Sequence, residues 1–294
     1  MRKRKVLLLL IQVMVACTLK GQNIGFTQYF NYLLYTDPSQ TGNGEYDYRV
    51  SALYRQQWEN IEAEFSTFAL SGDIRMGNVF FPQDAWGIGV YLLDDHLGGD
   101  IMQNQQVGVA LAYHVHPDFQ ARHQLSLGVN VDYLFSSVDF GSLVFESQYQ
   151  GFFLQPDVAS GESFASDRIK NLDLGMGVSY RYLLNPKTRL GVSLASYGFI
   201  NRQENFISES DSTGYNHSEW LARGFYSYQF SPKVGLESHA QIIAQSGVSG
   251  VMLGLIGRYS PFPTKPITLS LGMFRQFDVS YVGYGGLSFK NYEM

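Results

Sequence analysis

Between Gln124 and Phe135 the chain reads QLSLGVNVDYLF, and apolar residues fall on every odd position: Leu125, Leu127, Val129, Val131, Tyr133 and Phe135. Gln124, Ser126, Gly128, Asn130 and Asp132 lie between them. Side chains alternate across a strand, so this is a ribbon with one apolar and one polar face. The pattern recurs in 106–116, with Val107, Val109, Leu111, Tyr113 and Val115 on one face, and in 171–181, with Leu172, Leu174, Met176, Val178 and Tyr180. Helical spacing fails in all three. Weaker copies predict strands near 46–58, 63–76, 86–94, 104–116, 123–136, 171–183, 188–199, 219–230, 233–244, 248–259, 265–275 and 278–290. Each is about nine residues or longer, enough for a tilted strand to cross a bilayer, and an even count suits a bacterial barrel.

Composition decides which face meets which solvent. Hydrophobic residues are an ordinary 45%, yet aromatics reach 15%, with 20 Tyr and 21 Phe, and there are 30 Gly. Charged residues are 16%, well below the roughly 25% of a soluble domain. That balance suits a surface half in lipid and half in water. The N-terminal MRKRKVLLLLIQVMVACTLKGQ has a basic start, Arg2 to Lys5, and an apolar run, Val6 to Cys17, and predicts a signal peptide over 1–22. Cys17, the single cysteine, is either acylated or discarded with the signal; the imperfect Met14-Val15-Ala16 before it favours the second. The remaining chain has no disulfide framework. Without 1–22, Lys and Arg fall from 21 to 16 against 26 Asp and Glu, a net charge near -10, which argues against nucleic acid as a partner. Export, lipid-like composition and the absence of an apolar run of about 20 residues point to an all-β transmembrane antiparallel barrel of about twelve strands, fourteen if parts of 137–170 pair. A soluble β-sandwich also alternates, but the export signal, low charge and glycine-rich polar faces disfavour it. The apolar face of 124–135 is therefore expected to meet lipid and the polar face the lumen.

The connections give an independent check. With both termini periplasmic, the turns holding Pro117, Pro186, Pro232 and Pro261 fall on the periplasmic side and are compact. The long connections, 137–170 and 200–218, fall outside the cell, where long barrel loops belong. Tyr113, Tyr133, Phe135, Tyr180, Tyr182, Tyr226 and Tyr228 sit near strand ends, as interfacial girdles do. The ending Leu287-Ser288-Phe289 resembles a barrel-assembly signal, although five residues follow it.

Two stretches carry a family resemblance. The first is Phe26-Thr27-Gln28-Tyr29-Phe30-Asn31-Tyr32-Leu33-Leu34-Tyr35 with Pro38 and Gly42, then Tyr54-Arg55-Gln56-Gln57-Trp58. The second runs from Gly87 to Gly98 and includes Asp95. Together they resemble the PorP/SprF family of the type IX secretion and gliding-motility machinery of Bacteroidetes, across roughly 24–135. The chain departs from the family pattern at Tyr32, usually Pro, and at Asp37-Pro38-Ser39-Gln40, usually Asn-Pro-Ala-Tyr. The resemblance implies a non-enzymatic outer-membrane barrel over 23–294 that serves secretion or surface anchoring. Its implied partners are other type IX secretion and gliding components and a secreted surface protein, such as an adhesin, with a C-terminal secretion domain. A periplasmic peptidoglycan-binding partner and outer-membrane lipid complete the set. The family-motif residues Phe26, Gln28, Tyr29, Asn31, Leu34, Pro38, Gly42, Tyr54, Arg55, Gln57, Trp58, Asp95 and Gly98 become candidates for plug or partner contacts.

Other constellations are weaker. Arg49 and Arg55 share a strand face with Asp47 and Ser51, and could hold segment 23–42 as a plug, or be ordinary lumen charge with Trp58 in a girdle. His114 and His116 have a spacing metal sites use, but without an evident third ligand two solvated lumen histidines are expected. Asp94, Asp95 and Asp100 around Gly98-Gly99 lack the regular spacing of a calcium loop and read as a polar turn. The polar segments 146–170 and 203–218 are solvated loops or docking surfaces. No nucleophile motif, P-loop or dinucleotide fingerprint appears, so neither catalysis nor a cofactor is expected. The rival to a scaffold is a passive or substrate-specific channel; whether 23–42 fills the lumen discriminates between them.

Overall fold

A computed structural model describes residues 32–44, 47–57, 64–77, 83–150, 166–200, 218–245, 248–261, 267–276 and 280–289, with isolated positions at 80, 153–155, 158, 161–162, 164 and 206. Its strands are β1 (Tyr48–Gln57), β2 (Phe65–Gly77), β3 (Ala85–Leu97), β4 (Met102–Val115), β5 (His123–Val138), β6 (Tyr149–Gln150), β7 (Phe153–Leu154), β8 (Arg168–Asn185), β9 (Thr188–Tyr197), β10 (Glu219–Ser231), β11 (Val234–Gln245), β12 (Val248–Tyr259), β13 (Ile267–Gln276) and β14 (Ser280–Phe289). All but β6 and β7 join one twelve-stranded antiparallel sheet, each strand pairing with the next long strand in sequence. The twelve correspond one for one to the expected strands. The short β6–β7 hairpin forms its own two-stranded sheet, so among the described residues the connection after β5 adds no strand to the wall, which has twelve strands rather than fourteen.

Burial follows the alternation with the sense of a membrane barrel. Along β5 the residues from Gln124 to Asp132 at even positions are buried, while Leu125, Leu127, Val129, Val131 and Tyr133 are exposed. Val107, Val109 and Leu111 of β4 and Leu172, Leu174 and Met176 of β8 continue the exposed apolar band. A soluble sheet would bury this face; here it is the face presented to lipid. Among the described residues no helix is long and apolar enough to cross a membrane, so the strands do the crossing. The Val129→Arg variant should therefore destabilise the inserted barrel by about 2–4 kcal/mol if Val129 sits near mid-bilayer. Urea titration of protein refolded into liposomes would measure it.

The long connections after β5 and β9 leave the sheet at one end, and the compact turns after β4, β8 and β10 at the other. At the compact-turn end, aromatic rings gather. Trp86 packs on Tyr113 with ring centres 4.9 Å apart, His123 stacks on Tyr182 at 4.5 Å, and Tyr228 meets Phe230 edge-on at 4.8 Å.

The inner face is not uniformly polar. In β12 to β14 the inward residues Met252, Ile256 and Phe274 form a buried cluster, with Val282 and Tyr284 against it. The Phe274 ring lies over Gly254, and likewise the Phe225 ring lies over Gly191. This part of the interior is filled by the wall's own side chains. It is why β12, VSGVMLGLIGRY, is apolar on both faces and shows no clean alternation.

Candidate functional site in the lumen

The other part of the interior is filled by the N-terminal segment. Residues 32–43 form one helical turn, α1 (Leu33–Thr36), then a 3-10 turn over Pro38–Gln40 and a reversal at Thr41–Gly42. Local chemistry explains the shape. The Asp37 carboxylate accepts from Ser39 N at 3.0 Å and Ser39 Oγ at 2.6 Å, Pro38 fixes the first position of the turn, and Gly42 takes a φ of +64°. Backbone bonds from Asp37 N to Leu33 O (2.8 Å) and from Thr41 N to Pro38 O (3.2 Å) satisfy groups that would otherwise be stranded inside the barrel. Tyr32, Leu34, Asp37, Pro38, Ser39 and Thr41 are almost wholly inaccessible to solvent.

What receives the segment is a row of small residues running across the strands. Gly87 of β3 pairs with Ala112, Ala112 with Gly128, Gly128 with Gly177, and Gly177 with Ala195 of β9. A Cβ added at Gly87 would overlap the Thr41 backbone, and one at Gly128 the backbone of Pro38 and Ser39. At Gly177 it would lie 2.7 Å from the Asp37 carboxylate. The main chain of 37–42 thus lies directly on the main chain of the wall.

Polar anchors surround this seat. Arg49 grips Asp73 with two bonds, Nε to Oδ1 at 2.9 Å and a terminal nitrogen to Oδ2 at 2.8 Å, and also donates to Gln40 O at 3.0 Å. Asp73 Oδ2 accepts from Gly42 N at 2.5 Å, and Arg75 donates to Gly42 O at 3.3 Å. His114 Nε2 donates to Thr41 O at 2.8 Å, which in the neutral ring leaves Nδ1 to accept from the Ser126 hydroxyl, also at 2.8 Å. Gln124 donates to Asn43 Oδ1 at 2.9 Å. Tyr32 donates its hydroxyl to Leu92 O at 2.6 Å. Burial, and after it the charge of Asp132, hold the Tyr32 phenol above its ordinary pKa, so it remains a donor. Two cavities flank the segment. One of about 370 Å³ lies among Tyr35, Thr36, Asp132, Asp173, Tyr197 and Phe206. One of about 220 Å³ lies between Leu33, Asp37, Gln40 and the inner residues Arg223, Glu237 and His239.

The structure separates the candidates read from the sequence. Leu34, Pro38 and Gly42 lie in the lumen. Arg49 and Arg55 both point inward, but Arg49 holds the segment while Arg55 donates to Gln57 at 2.5 Å. Tyr54 stands on the opposite, outward face, 65% exposed, so it is no plug contact. Asp95 is buried and accepts from Thr67 Oγ1 at 2.5 Å, and Gly98 supplies a φ of +68° to the turn that follows. Asp94 and Asp100 both meet His96, at 3.2 and 2.5 Å. His114 is a correction: it is not a solvated histidine but a fully buried one bound to the segment, whereas His116 bonds Gln83 O at 2.6 Å near the turn. Phe26, Gln28, Tyr29, Asn31 and Trp58, the signal peptide expected over 1–22 and Cys17 lie outside the described residues. Sequence reasoning missed Tyr32, Asp37 and Asp73. The signal for Tyr32 and Asp37 was their departure from the family pattern; Asp73 carried none.

Residues 18–294 match the family model described as type IX secretion system membrane protein PorP/SprF. The chain belongs to the PorP/SprF family. No curated protein matches the sequence. Among solved structures, this PorP/SprF chain is similar to the KdgM porin, with 8% identity and a TM-score of 0.43 over 83% of this chain and 99% of that one. It is also similar to the Pseudomonas putida toluene transporter TodX, with 9% identity and a TM-score of 0.48 over 85% and 80%. A third is the translocator domain of the Neisseria meningitidis autotransporter NalP, with 10% identity and a TM-score of 0.44 over 89% and 95%.

Proposed function

We propose that this PorP/SprF protein is a non-enzymatic scaffold of the type IX machinery in the outer membrane. It presents a rigid platform on which secreted surface proteins with a type IX C-terminal domain are exported or anchored. The reading is carried by one observation: residues 32–43 lie inside the barrel, bonded to its wall by Arg49, Asp73, His114 and Gln124. A solute channel needs that space. A platform gains from filling it, because a packed interior stiffens the wall and fixes the loops. The long connections after β5 and β9 then serve as docking surfaces, since recognition concentrates in loops held by a rigid frame.

The test is recovery of the tagged protein from gently solubilised outer membranes, with its partners identified by mass spectrometry, alongside conductance in planar bilayers. The scaffold reading expects co-recovery of secretion or gliding components, or of a surface protein with a C-terminal secretion domain, and little conductance. Recovery of the barrel alone with steady conductance overturns it in favour of a channel.

A further inference from the structure

Eleven strand-to-strand junctions in the wall carry ladders, from eight paired residues between β12 and β13 to fifteen between β5 and β8. The twelfth junction, β14 to β1, carries none among the described residues. Both strands are ten residues long and each is paired on its other side. Alternate residues of each strand therefore direct their N–H and C=O groups at the seam. In a bilayer nothing but polypeptide backbone can satisfy such a row, because lipid tails offer neither donors nor acceptors.

We propose that the β14–β1 seam is a docking site for a β-hairpin of a partner polypeptide, which adds its two strands to the wall. Three observations select that occupant. The missing groups are backbone donors and acceptors in strand spacing, and only an extended chain reproduces that spacing. The wall has twelve strands, so β1 and β14 run antiparallel to one another; a single inserted strand would be parallel to one flank, whereas a hairpin is antiparallel to both. The outward face of β14 is bare between Tyr281 and Leu287: side chains added at Gly283 and Gly285 would meet no atom within 4 Å. On β1 the outward Tyr48, Val50 and Tyr54 stand free. The hairpin would alternate apolar and polar residues, with the apolar set facing out beside them.

The proposal rests on the secretion reading only for the source of the hairpin, and the experiment reads the seam itself. Benzoylphenylalanine is placed at Ala52 of β1, at Gly285 of β14 and, as a control in mid-wall, at Val129, in cells that carry the full secretion machinery. Adducts at 52 and 285 but not 129, mapping to the two strands of one alternating hairpin in another polypeptide, are expected. A second arm pairs cysteines at 50, 52 or 54 with cysteines at 283, 285 or 287; no internal disulfide is expected in any pair. All these positions face outward, and heat-modifiable migration confirms folding of each variant. An internal disulfide that forms to completion shows a seam closed on itself and overturns the proposal. So do adducts confined to lipid or to a second copy of the chain. Loss of secretion on deleting the protein, with a closed seam, would retain the scaffold and discard the docking site.

Discussion

Replacing Gly87 or Gly128 by valine is expected to drive residues 32–43 out of the lumen. At both positions the added carbon would overlap main chain rather than a movable side-chain tip, so the wall and the segment cannot both keep their places. Overpacking an ordinary core costs about 1–3 kcal/mol because side chains yield, and here the yielding element is the whole segment. The measurement is maleimide labelling of a cysteine at Ser39, buried in the parent, in a chain whose Cys17 has been replaced. Labelling should rise from negligible to near complete in the valine variants. Bilayer conductance should rise with it if the vacated lumen is continuous. Gly283→Val, which meets no atom within 4 Å, is the matched control and should leave Ser39 protected. Protection of Ser39 in Gly87→Val would show that the small-residue row does not determine where the segment lies.

The second large effect concerns Arg49 and Asp73. Asp73 is buried and takes two bonds from Arg49 and one from Gly42 N. Removing Arg49 leaves a carboxylate without its counter-charge, and removing one partner of a buried pair costs about 3–5 kcal/mol. Because the Arg49 side chain is 28% exposed, the lower end of that range is expected. Asp73→Ala should release the segment further, since Gly42 N loses its acceptor. The double variant should be less unstable than the sum of the singles, by an interaction energy within about 0.5–3 kcal/mol. Thermal unfolding in detergent, with segment release followed by Ser39 labelling, separates the two effects. Strict additivity would mean that the pair does not hold the segment.

The wall was legible because strand alternation survives where one face meets lipid. Each stretch such as 124–135 declares its two environments by itself, and the count, the inward and outward faces and the placing of long loops all follow. Candidate contacts were legible only in part, because they depend on register between strands distant in sequence. Gly87, Ala112, Gly128, Gly177 and Ala195 read separately as small strand residues; only the pairing shows that they form one row. Tyr54 and Arg55 are neighbours in the motif, yet alternation sends them to opposite faces. His114 lost its water to Thr41, a residue 73 positions earlier, a contact no local pattern encodes. The apolar cluster of β12 to β14 was hidden because β12 is apolar on both faces, which removes the alternation that would reveal it, and because the inward Phe274, Val282 and Tyr284 stand singly among small and polar residues of β13 and β14.

The placing of the N-terminal segment bears on the order in which the barrel is made. The hydrogen bonds described for it and its contacts with the wall reach β1 to β5, β8 and β9, all in the first 197 residues. The buried cluster of Met252, Ile256 and Phe274, with Val282 and Tyr284 against it, belongs wholly to β12, β13 and β14. Contacts between near neighbours in sequence form sooner than distant ones. A half-built wall, β1 to β9, can therefore wrap its own leading segment before the final strands arrive. Those strands bring their filling with them, so assembly ends on the two edges that flank the seam.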